Sequence, residues 1–189
     1  TALFTASGEL LAQAEHIPVH LGSMPAAVAA AIGACGSTVG PGDQIIVNDP
    51  YAGGTHLNDV TLVAPVFDGE GLIGWVANRA HHADLGGTAP GSMPADAVHI
   101  DEEGLRLPPT LLTEEVAASV AASSRTPEER AGDLDAQIGA NRLGVRRFAA
   151  LGPAGLDELV AYGERRMRAA LRDLPDGSWT FEDVLDSFG

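Results

Sequence analysis

The fold is decided by the stretch Val60-Thr61-Leu62-Val63-Ala64-Pro65-Val66-Phe67, which precedes Asp68-Gly69-Glu70-Gly71 and Leu72-Ile73-Gly74-Trp75-Val76-Ala77-Asn78-Arg79. The first segment is almost entirely apolar, as is typical of a strand buried on both faces. The second contains the residues of a hairpin turn, so the third is predicted to return as an antiparallel strand. A turn centred on Gly69-Glu70 makes the numbers of facing residues sum to about 139, which places Val60 near Arg79 and Asn58 near His81.

The segments before this hairpin predict a second hairpin, a helix and a strand. Residues 2–14 carry apolar pairs on either side of Ser7-Gly8, which is typical of a short hairpin. Ser23 is predicted to cap a helix that begins at Met24-Pro25, runs through Cys35 and ends at Gly36. A short strand is expected over residues 44–47.

The C-terminal third is predicted to be helical. Thr113 is expected to cap a helix that reaches about Ser123. A capping box, Thr126-Pro127-Glu128-Glu129, predicts a longer helix that ends at Gly152-Pro153. A further helix is expected over residues 154–172 and a last strand over 178–185.

Together these elements predict an α+β fold, with a mixed, largely antiparallel sheet and Gly/Pro-rich site loops followed by a helical C-terminal third. We expect a single domain or a fragment of a larger subunit. Residues 1–110 would form a strand and loop region, 111–174 a helical region and 175–189 the start of a further strand region. Because the first residue is not Met, and the last residues follow an apparent strand directly, both ends are expected to be cut from a longer chain.

The composition restricts the classes of partner. The chain has 26 acidic and 11 basic residues, and its formal charge of −15 disfavours binding to nucleic acid or to anionic membranes. No apolar run approaches the roughly 20 residues that span a bilayer, and no secretory signal is visible. The single cysteine, Cys35, excludes an intramolecular disulfide, fits a cytoplasmic location and is predicted to be a small buried thiol. Neither a P-loop nor a Gly-x-Ser-x-Gly elbow occurs in the sequence.

A candidate metal site follows from the hairpin. His56 and Asp59 have the spacing His-x-x-Asp, and the predicted register brings their loop beside the pair His81 and His82. Since side chains alternate between the faces of a strand, at most one of His81 and His82 is expected to join the site. Two imidazoles and one carboxylate suit Zn, Mn or Fe, with coordination positions left for water or substrate. A hydrogen-bonded cluster that only orders a loop is the alternative.

Several residues near this cluster have two possible roles. Asp84 and Asp49 are candidate catalytic acids, and Asp84 is also a candidate acceptor for a hydrogen bond from a ligating histidine. His20 is expected to be a hydrogen-bonded core or capping histidine. The neighbouring glycines permit close approach of a substrate to the backbone, or only tight turns; they are Gly53, Gly54, Gly86 and Gly87.

The helix after Thr126 carries a polar stripe beside an apolar one. Its polar residues are Arg130, Asp133, Gln137 and Asn141. Such a stripe could reach into a site, but the solvated edge of an amphipathic helix is the commoner arrangement, and we favour that interpretation.

Six segments of the chain contain long motifs: residues 18–24, 48–60, 79–87, 90–94, 103–109 and 132–137. Together these motifs resemble the hydantoinase B/oxoprolinase family, which includes N-methylhydantoinase B subunits, 5-oxoprolinase and the large subunits of acetone and acetophenone carboxylases. By resemblance to the acetone carboxylases, His56, Asp59 and His81 would form a manganese site, and His81 is preferred over His82 on that ground alone. Asn58 departs from the proline expected in many relatives.

The resemblance implies that the chain is the metal-binding portion of a subunit of an ATP-dependent cyclic-amide hydrolase. A hydantoinase A-type partner would bind ATP and phosphorylate the substrate, so a hetero-oligomer that is active only with its partner is expected. Two alternatives stay open. One is the large subunit of an ATP-dependent ketone carboxylase, and the other is a non-catalytic, metal-stabilised interaction fragment.

Overall fold

The computed structural model describes residues 1–14, 17–69 and 71–184. Its strands are β1 (Ala2–Thr5), β2 (Leu10–Gln13), β3 (Ile45–Val47), β4 (Asp59–Phe67), β5 (Leu72–His81) and β6 (Thr110–Leu111). Its α-helices are α1 (Val19–Cys35), α2 (Glu114–Ser123), α3 (Pro127–Leu151) and α4 (Leu156–Arg172). Single 3₁₀ turns lie at Pro50–Ala52 and Ile100–Glu102.

The strands form one sheet in the order β2-β1-β5-β4-β3-β6, and every adjacent pair is antiparallel. This arrangement, with helices in the C-terminal part, confirms the predicted fold class. The edge strand β6 was not predicted. It contains only two residues, Thr110 and Leu111, which pair with Ile46 and Ile45 and are too few to show an alternating pattern.

Helix α1 covers one face of the sheet. Its Met24 and Val28 form a buried cluster with Phe4, Val63 and Trp75 from the strands. Burial of such large side chains contributes roughly 1.5–3 kcal/mol each, so this contact fixes the helix firmly on the sheet.

Helices α2 and α3 cover the opposite face. Val120 of α2 and Leu134 of α3 pack with Val60 and Leu62 of β4. Because Val63 belongs to the α1 side, successive residues of β4 alternate between the two clusters. The prediction that β4 is buried on both faces is confirmed, and the sheet is the middle layer of three.

The register of the central hairpin differs by one residue at its open end from the approximate register that the sequence predicted. Phe67 pairs with Leu72 beside the turn, as predicted, but Val66 pairs with Gly74. Ile73 is therefore an extra residue in β5, and this bulge shifts the pairing so that Asp59 faces His81. Glu70, which belongs to the predicted turn, lies outside the described residues.

The start of α1 differs from prediction, whereas α3 begins at Pro127 as predicted but lacks the expected cap. Helix α1 begins before Ser23, because Pro18 already has helical dihedrals (φ −56°, ψ −33°); the Ser23 hydroxyl instead donates to the Val19 carbonyl at 3.0 Å. The capping box at Thr126 does not form, since its side chain makes no capping hydrogen bond and lies beside the Ser124 hydroxyl. The cap at Thr113 does form, with the Val116 N–H donating to its hydroxyl at 3.2 Å.

Residues 1–156 form one compact unit, and the residues from 157 onward form a second, whose regular structure is α4. Residues 178–184 form no strand, contrary to the strand predicted over 178–185, of which residue 185 lies outside the described residues. A strand requires a hydrogen-bonded neighbour, which an apolar pattern alone does not supply. Among the described residues, no helix is long and apolar enough to cross a membrane.

Candidate metal centre

The imidazoles of His56 and His81 meet the carboxylate of Asp59 at the open end of the β4–β5 hairpin. Asp59 is the first residue of β4 and pairs with His81, the last residue of β5. Asp59 Oδ1 lies 3.2 Å from His56 Nε2 and 3.4 Å from His81 Nδ1. One ligand atom from each of the three residues lies within 4.8 Å of the others. The structure thus brings together the three residues that the sequence singled out.

Asp59 is held as a carboxylate by its surroundings. Burial raises the pKa of this carboxyl, but a hydrogen bond from the Thr55 hydroxyl and the nearby His56, His20 and Arg79 side chains outweigh that effect. The net result is a pKa below the ordinary value for aspartate. The group is therefore negatively charged at neutral pH, as a metal ligand must be.

Two residues of this cluster were missed by sequence reasoning. Arg79 lies two residues before His81 on β5, so strand alternation places both on the α1 side of the sheet. It donates to the Thr61 hydroxyl at 2.8 Å and to His20 Nδ1 at 3.3 Å. His20, predicted only to be a hydrogen-bonded or capping residue, has its Nε2 3.9 Å from Asp59 Oδ2. Alternation could have identified Arg79, whereas His20 arrives from α1 through tertiary packing.

Burial lowers the pKa of the His20 imidazole, and the positive charge of Arg79 lowers it further, against the opposing effect of Asp59. His20 is consequently neutral at physiological pH. A neutral imidazole carries one N–H donor and one acceptor, and its neighbours decide which nitrogen has which role.

His82 belongs to the other side of the sheet. Its side chain is fully buried, and its Nε2 lies 2.8 Å from Gln137 Oε1 on α3. Burial lowers the pKa of this imidazole, and the hydrogen bond to Gln137 only partly opposes the shift. Adjacent histidines thus occupy two different environments, as the alternation rule predicted.

The interpretation of the polar stripe on α3 as a solvated edge was wrong for Arg130, Gln137 and Asn141, which are buried, whereas Asp133 is exposed. Gln137 and Asn141 are buried, and Gln137 Nε2 donates to Asn78 Oδ1 at 2.7 Å and to the Val60 carbonyl at 3.0 Å. Asn141 Nδ2 donates to the Leu62 carbonyl at 3.1 Å. The amphipathic pattern could not show this, because the partners are backbone carbonyls and side chains of the sheet that α3 covers.

Asparagines fix the two loops that surround the cluster, a first loop of residues 48–58 before β4 and a second loop of residues 82–99 after β5. Asn48 Nδ2 donates to the Leu57 carbonyl at 2.8 Å, which closes the first loop. Asn58 Nδ2 donates to the carbonyls of His82 at 2.8 Å and Gly91 at 3.1 Å. Asn58, the departure from the expected family pattern, therefore joins the first loop to the second, a contact that proline could not make.

The glycines of these loops pack against the chain's own backbone. Gly53 has a φ of +82°, and a Cβ at this position would lie 2.3 Å from the Ala27 backbone nitrogen of α1. Backbone atoms fill the corresponding space at the other three positions, Gly54, Gly86 and Gly87. Close packing within the chain therefore requires glycine at all four positions, and contact of these loops with a substrate stays a prediction.

The two candidate catalytic acids have contacts of their own. Asp84 accepts hydrogen bonds from the Arg125 backbone N–H and guanidinium, both at 2.7 Å, which tie the second loop to the start of α3. The suggested bond from a site histidine to Asp84 is not among the contacts of the described residues. Asp49 accepts from the Tyr51 N–H at 2.9 Å and lies 3.7 Å from Arg106. A catalytic role for either stays a prediction.

Comparison with known proteins identifies the family. The family model for hydantoinase B/oxoprolinase matches residues 1–189. The chain belongs to the hydantoinase B/oxoprolinase family. It is 36% identical over 202 residues to caprolactamase subunit beta of Pseudomonas jessenii, covering 100% of this chain and 35% of that one. It is 37% identical over 183 residues to 5-oxoprolinase of Dictyostelium discoideum, covering 92% of this chain and 14% of that one.

Solved structures show the same relationship. The crystal structure of the ATP-dependent caprolactamase from Pseudomonas jessenii matches with a TM-score of 0.84 and 35% identity, over 93% of this chain and 33% of that one. The nucleotide-free structure of acetone carboxylase matches with a TM-score of 0.63 and 25% identity, over 91% of this chain and 21% of that one. The family assignment made from sequence is confirmed, and the chain spans about a third or less of these relatives.

Proposed function

We propose that this chain holds a divalent metal ion between His56, Asp59 and His81, as part of a B-type subunit of an ATP-dependent cyclic-amide hydrolase. The observation that carries the proposal is the meeting of two imidazoles and one buried carboxylate with ligand atoms within 4.8 Å of one another. Membership of the hydantoinase B/oxoprolinase family supports it.

The donor set fits a divalent metal. Two imidazole nitrogens and one carboxylate oxygen suit Mn, Zn or Fe, and three protein ligands leave positions for water and substrate. The side chains of His56 and His81 are 31% and 55% exposed, so the cluster opens to solvent on the histidine side. The Asp59 side chain is only 6% exposed, which strengthens its attraction for a cation.

The surrounding residues position this donor set. A bound divalent ion would act as a Lewis acid that lowers the pKa of a water molecule or polarises a carbonyl. Thr55 and the charge of Arg79 keep Asp59 ionised, and Asn58 sets the distance between the two loops. Such supporting contacts hold the ligands in place before a metal or substrate arrives.

The proposed substrate class and partner subunit rest on the similarity of this chain to its relatives. One is named as a caprolactamase subunit beta, and its structure is that of an ATP-dependent enzyme. We infer that the complete subunit acts with a hydantoinase A-type subunit that binds ATP and phosphorylates a small cyclic amide. Ring opening would then take place at the metal centre of this chain.

The proposal is tested with the full-length subunit and its co-purified partner subunit. ATP-dependent opening of 5-oxoproline, hydantoin and caprolactam is measured for the wild type, for Asp59→Asn and for the exposed control Asp135→Asn. Asp59→Asn should lose metal and reduce turnover by more than the roughly 10- to 100-fold typical of residues that only support a ligand. Unchanged turnover of a metal-free Asp59→Asn complex would show that ring opening does not require this metal.

A ketone carboxylase is the second candidate, because acetone carboxylase shares the fold at 25% identity. We rank it lower because the caprolactamase match is stronger in both identity and TM-score. Product formation from acetone that requires both ATP and bicarbonate, without opening of any cyclic amide, would reverse this ranking.

A further inference from the structure

His20 stands beside the metal centre without belonging to its ligand set. It is the second residue of α1, and its side chain is 20% exposed. Nδ1 lies 3.3 Å from Arg79 Nη1, and Nε2 lies 3.9 Å from Asp59 Oδ2. The ring therefore contacts Arg79 through Nδ1, while Nε2 faces the metal centre.

Arg79 determines which nitrogen of His20 carries the proton. A guanidinium has only donors, so a nitrogen bonded to it must accept with its lone pair. His20 Nδ1 is that acceptor, so the N–H of the ring is on Nε2. Arg79 also donates hydrogen bonds to the Thr61 hydroxyl at 2.8 Å and to the Ser23 hydroxyl at 2.5 Å. These two bonds hold the guanidinium against His20.

The same contact argues against His20 as a fourth ligand. A neutral histidine that ligates a metal through Nε2 must carry its proton on Nδ1. That proton would face the N–H of Arg79, and two donors would oppose each other. Ligation by His20 through Nε2 would therefore break its contact with Arg79.

We propose that His20 is a hydrogen-bond donor of the active site, with Nε2–H directed at the oxygen of a substrate carbonyl or phosphoryl group held at the centre. Arg79 is the positioning residue that fixes the required tautomer. This inference rests on the proposed function, since the substrate is taken to be an activated cyclic amide. A donor that is already oriented stabilises negative charge on such an oxygen as it develops, without any reorganisation.

Two substitutions separate the functions of the two ring nitrogens. In His20→Gln the side-chain amide can place an N–H near the position of Nε2, whereas in His20→Asn an amide oxygen can replace Nδ1 as acceptor for Arg79 but nothing reaches the position of Nε2. The full-length subunit with its partner is assayed for ATP-dependent ring opening and for bound zinc or manganese. His99→Gln, at a histidine with 69% side-chain exposure, is the control.

We expect both His20 variants to bind metal as the wild type does. His20→Asn should lower kcat by about 100- to 1,000-fold with little change in KM, as for removal of one oxyanion donor, and His20→Gln should keep much more activity. Loss of metal from both variants would identify His20 as a ligand and overturn the proposal. An active His20→Asn with an inactive His20→Gln would show that His20 serves only as an acceptor for Arg79, which also overturns it.

The tautomer is measured independently of activity. A long-range ¹H–¹⁵N spectrum of the ¹⁵N-histidine-labelled, zinc-loaded subunit, with His20 assigned from its absence in His20→Gln, should show a protonated Nε2 and an unprotonated Nδ1. The opposite tautomer contradicts the inference. If the wild-type complex opens no cyclic amide, the proposed substrate class is wrong, while the metal and tautomer measurements still decide whether His20 is a donor or a ligand.

Discussion

His81 and His82 are neighbours in sequence but lie on opposite faces of one sheet. The face that carries His81 has a partly exposed cluster of imidazoles around a buried carboxylate. The face that carries His82 has a buried network in which amides of Asn78, Gln137 and Asn141 satisfy one another and the strand carbonyls. We call these the open face and the closed face.

The difference shows that the chemistry of a side chain is set by its partners and its access to solvent. On the open face, His81 lies 3.4 Å from a carboxylate oxygen and is more than half exposed, so a ligand can reach it. On the closed face, the nitrogen of His82 that meets Gln137 is already occupied. We therefore propose that a metal binds on the open face and that the closed face stabilises the fold, so substitutions on the two faces should affect metal affinity and unfolding free energy respectively.

The largest effect is expected for His56→Ala on the open face. Loss of one of three protein ligands should weaken metal binding by more than about 100-fold, since even residues that only support a ligand contribute 10- to 100-fold. The unfolding free energy of the metal-free protein should change by no more than about 0.5 kcal/mol, because the side chain is partly exposed. Metal titration and chemical denaturation check the two parts, with His99→Ala as the control.

A large loss of stability is expected for Gln137→Ala on the closed face. The substitution removes the partner of His82 Nε2 and a donor to Asn78 Oδ1, and each buried group left unsatisfied costs about 1–3 kcal/mol. We expect the unfolding free energy to fall by about 2–4 kcal/mol in total, with metal affinity of the folded protein unchanged. Asp135→Ala, an exposed change on the same helix, should alter it by less than about 0.5 kcal/mol.

If Gln137→Ala instead reduced metal affinity as much as His56→Ala does, the two faces would not be independent. The separation of metal binding from stability would then be wrong.

A smaller loss of unfolding free energy is expected on substitution of Asp84, which fixes the loop after His82. Burial raises the pKa of its carboxyl, but hydrogen bonds and charge from Arg125 hold it below the ordinary value. The stabilisation that ionised Asp84 provides is therefore fully present above the ordinary aspartate pKa of about 3.8. It is lost as the pH falls through the lowered pKa. Asp84→Asn should destabilise the protein by about 1 kcal/mol at neutral pH.

The measurement is the difference in unfolding free energy between wild type and Asp84→Asn as a function of pH. That difference should shrink as the pH falls below 4. A difference that stayed constant down to pH 2 would show that the stabilising contact between Arg125 and Asp84 does not depend on the charge of Asp84.

Sequence predicted the open face better than the closed face. The hairpin, the spacing of His56 and Asp59, and the separation of His81 from His82 depend on turn chemistry and strand alternation, which are local properties. The bulge at Ile73 changed the register by one residue and still left Asp59 and His81 adjacent. Local patterns therefore sufficed to bring the three candidate ligands together.

What sequence could not predict depends on packing between distant segments. His20 reaches the centre because α1 lies across the sheet, and Gln137 is buried because α3 covers the other face. The polar stripe of α3 has the period of a solvated helix edge, and only the position of β4 beneath it shows that its amides are buried. Helix periodicity gives the side of a helix on which a residue lies but not what lies against that side.

The most direct test compares the metal content of His81→Ala and His82→Gln in the full-length subunit. Each protein is loaded with manganese or zinc, freed of excess ion and analysed for bound metal, with its fold checked by circular dichroism. We expect His81→Ala to be folded and to lose the ion, whereas His82→Gln should be less stable but keep it. Full metal occupancy in His81→Ala, or loss of metal from a folded His82→Gln, would contradict the assignment of the metal to the open face.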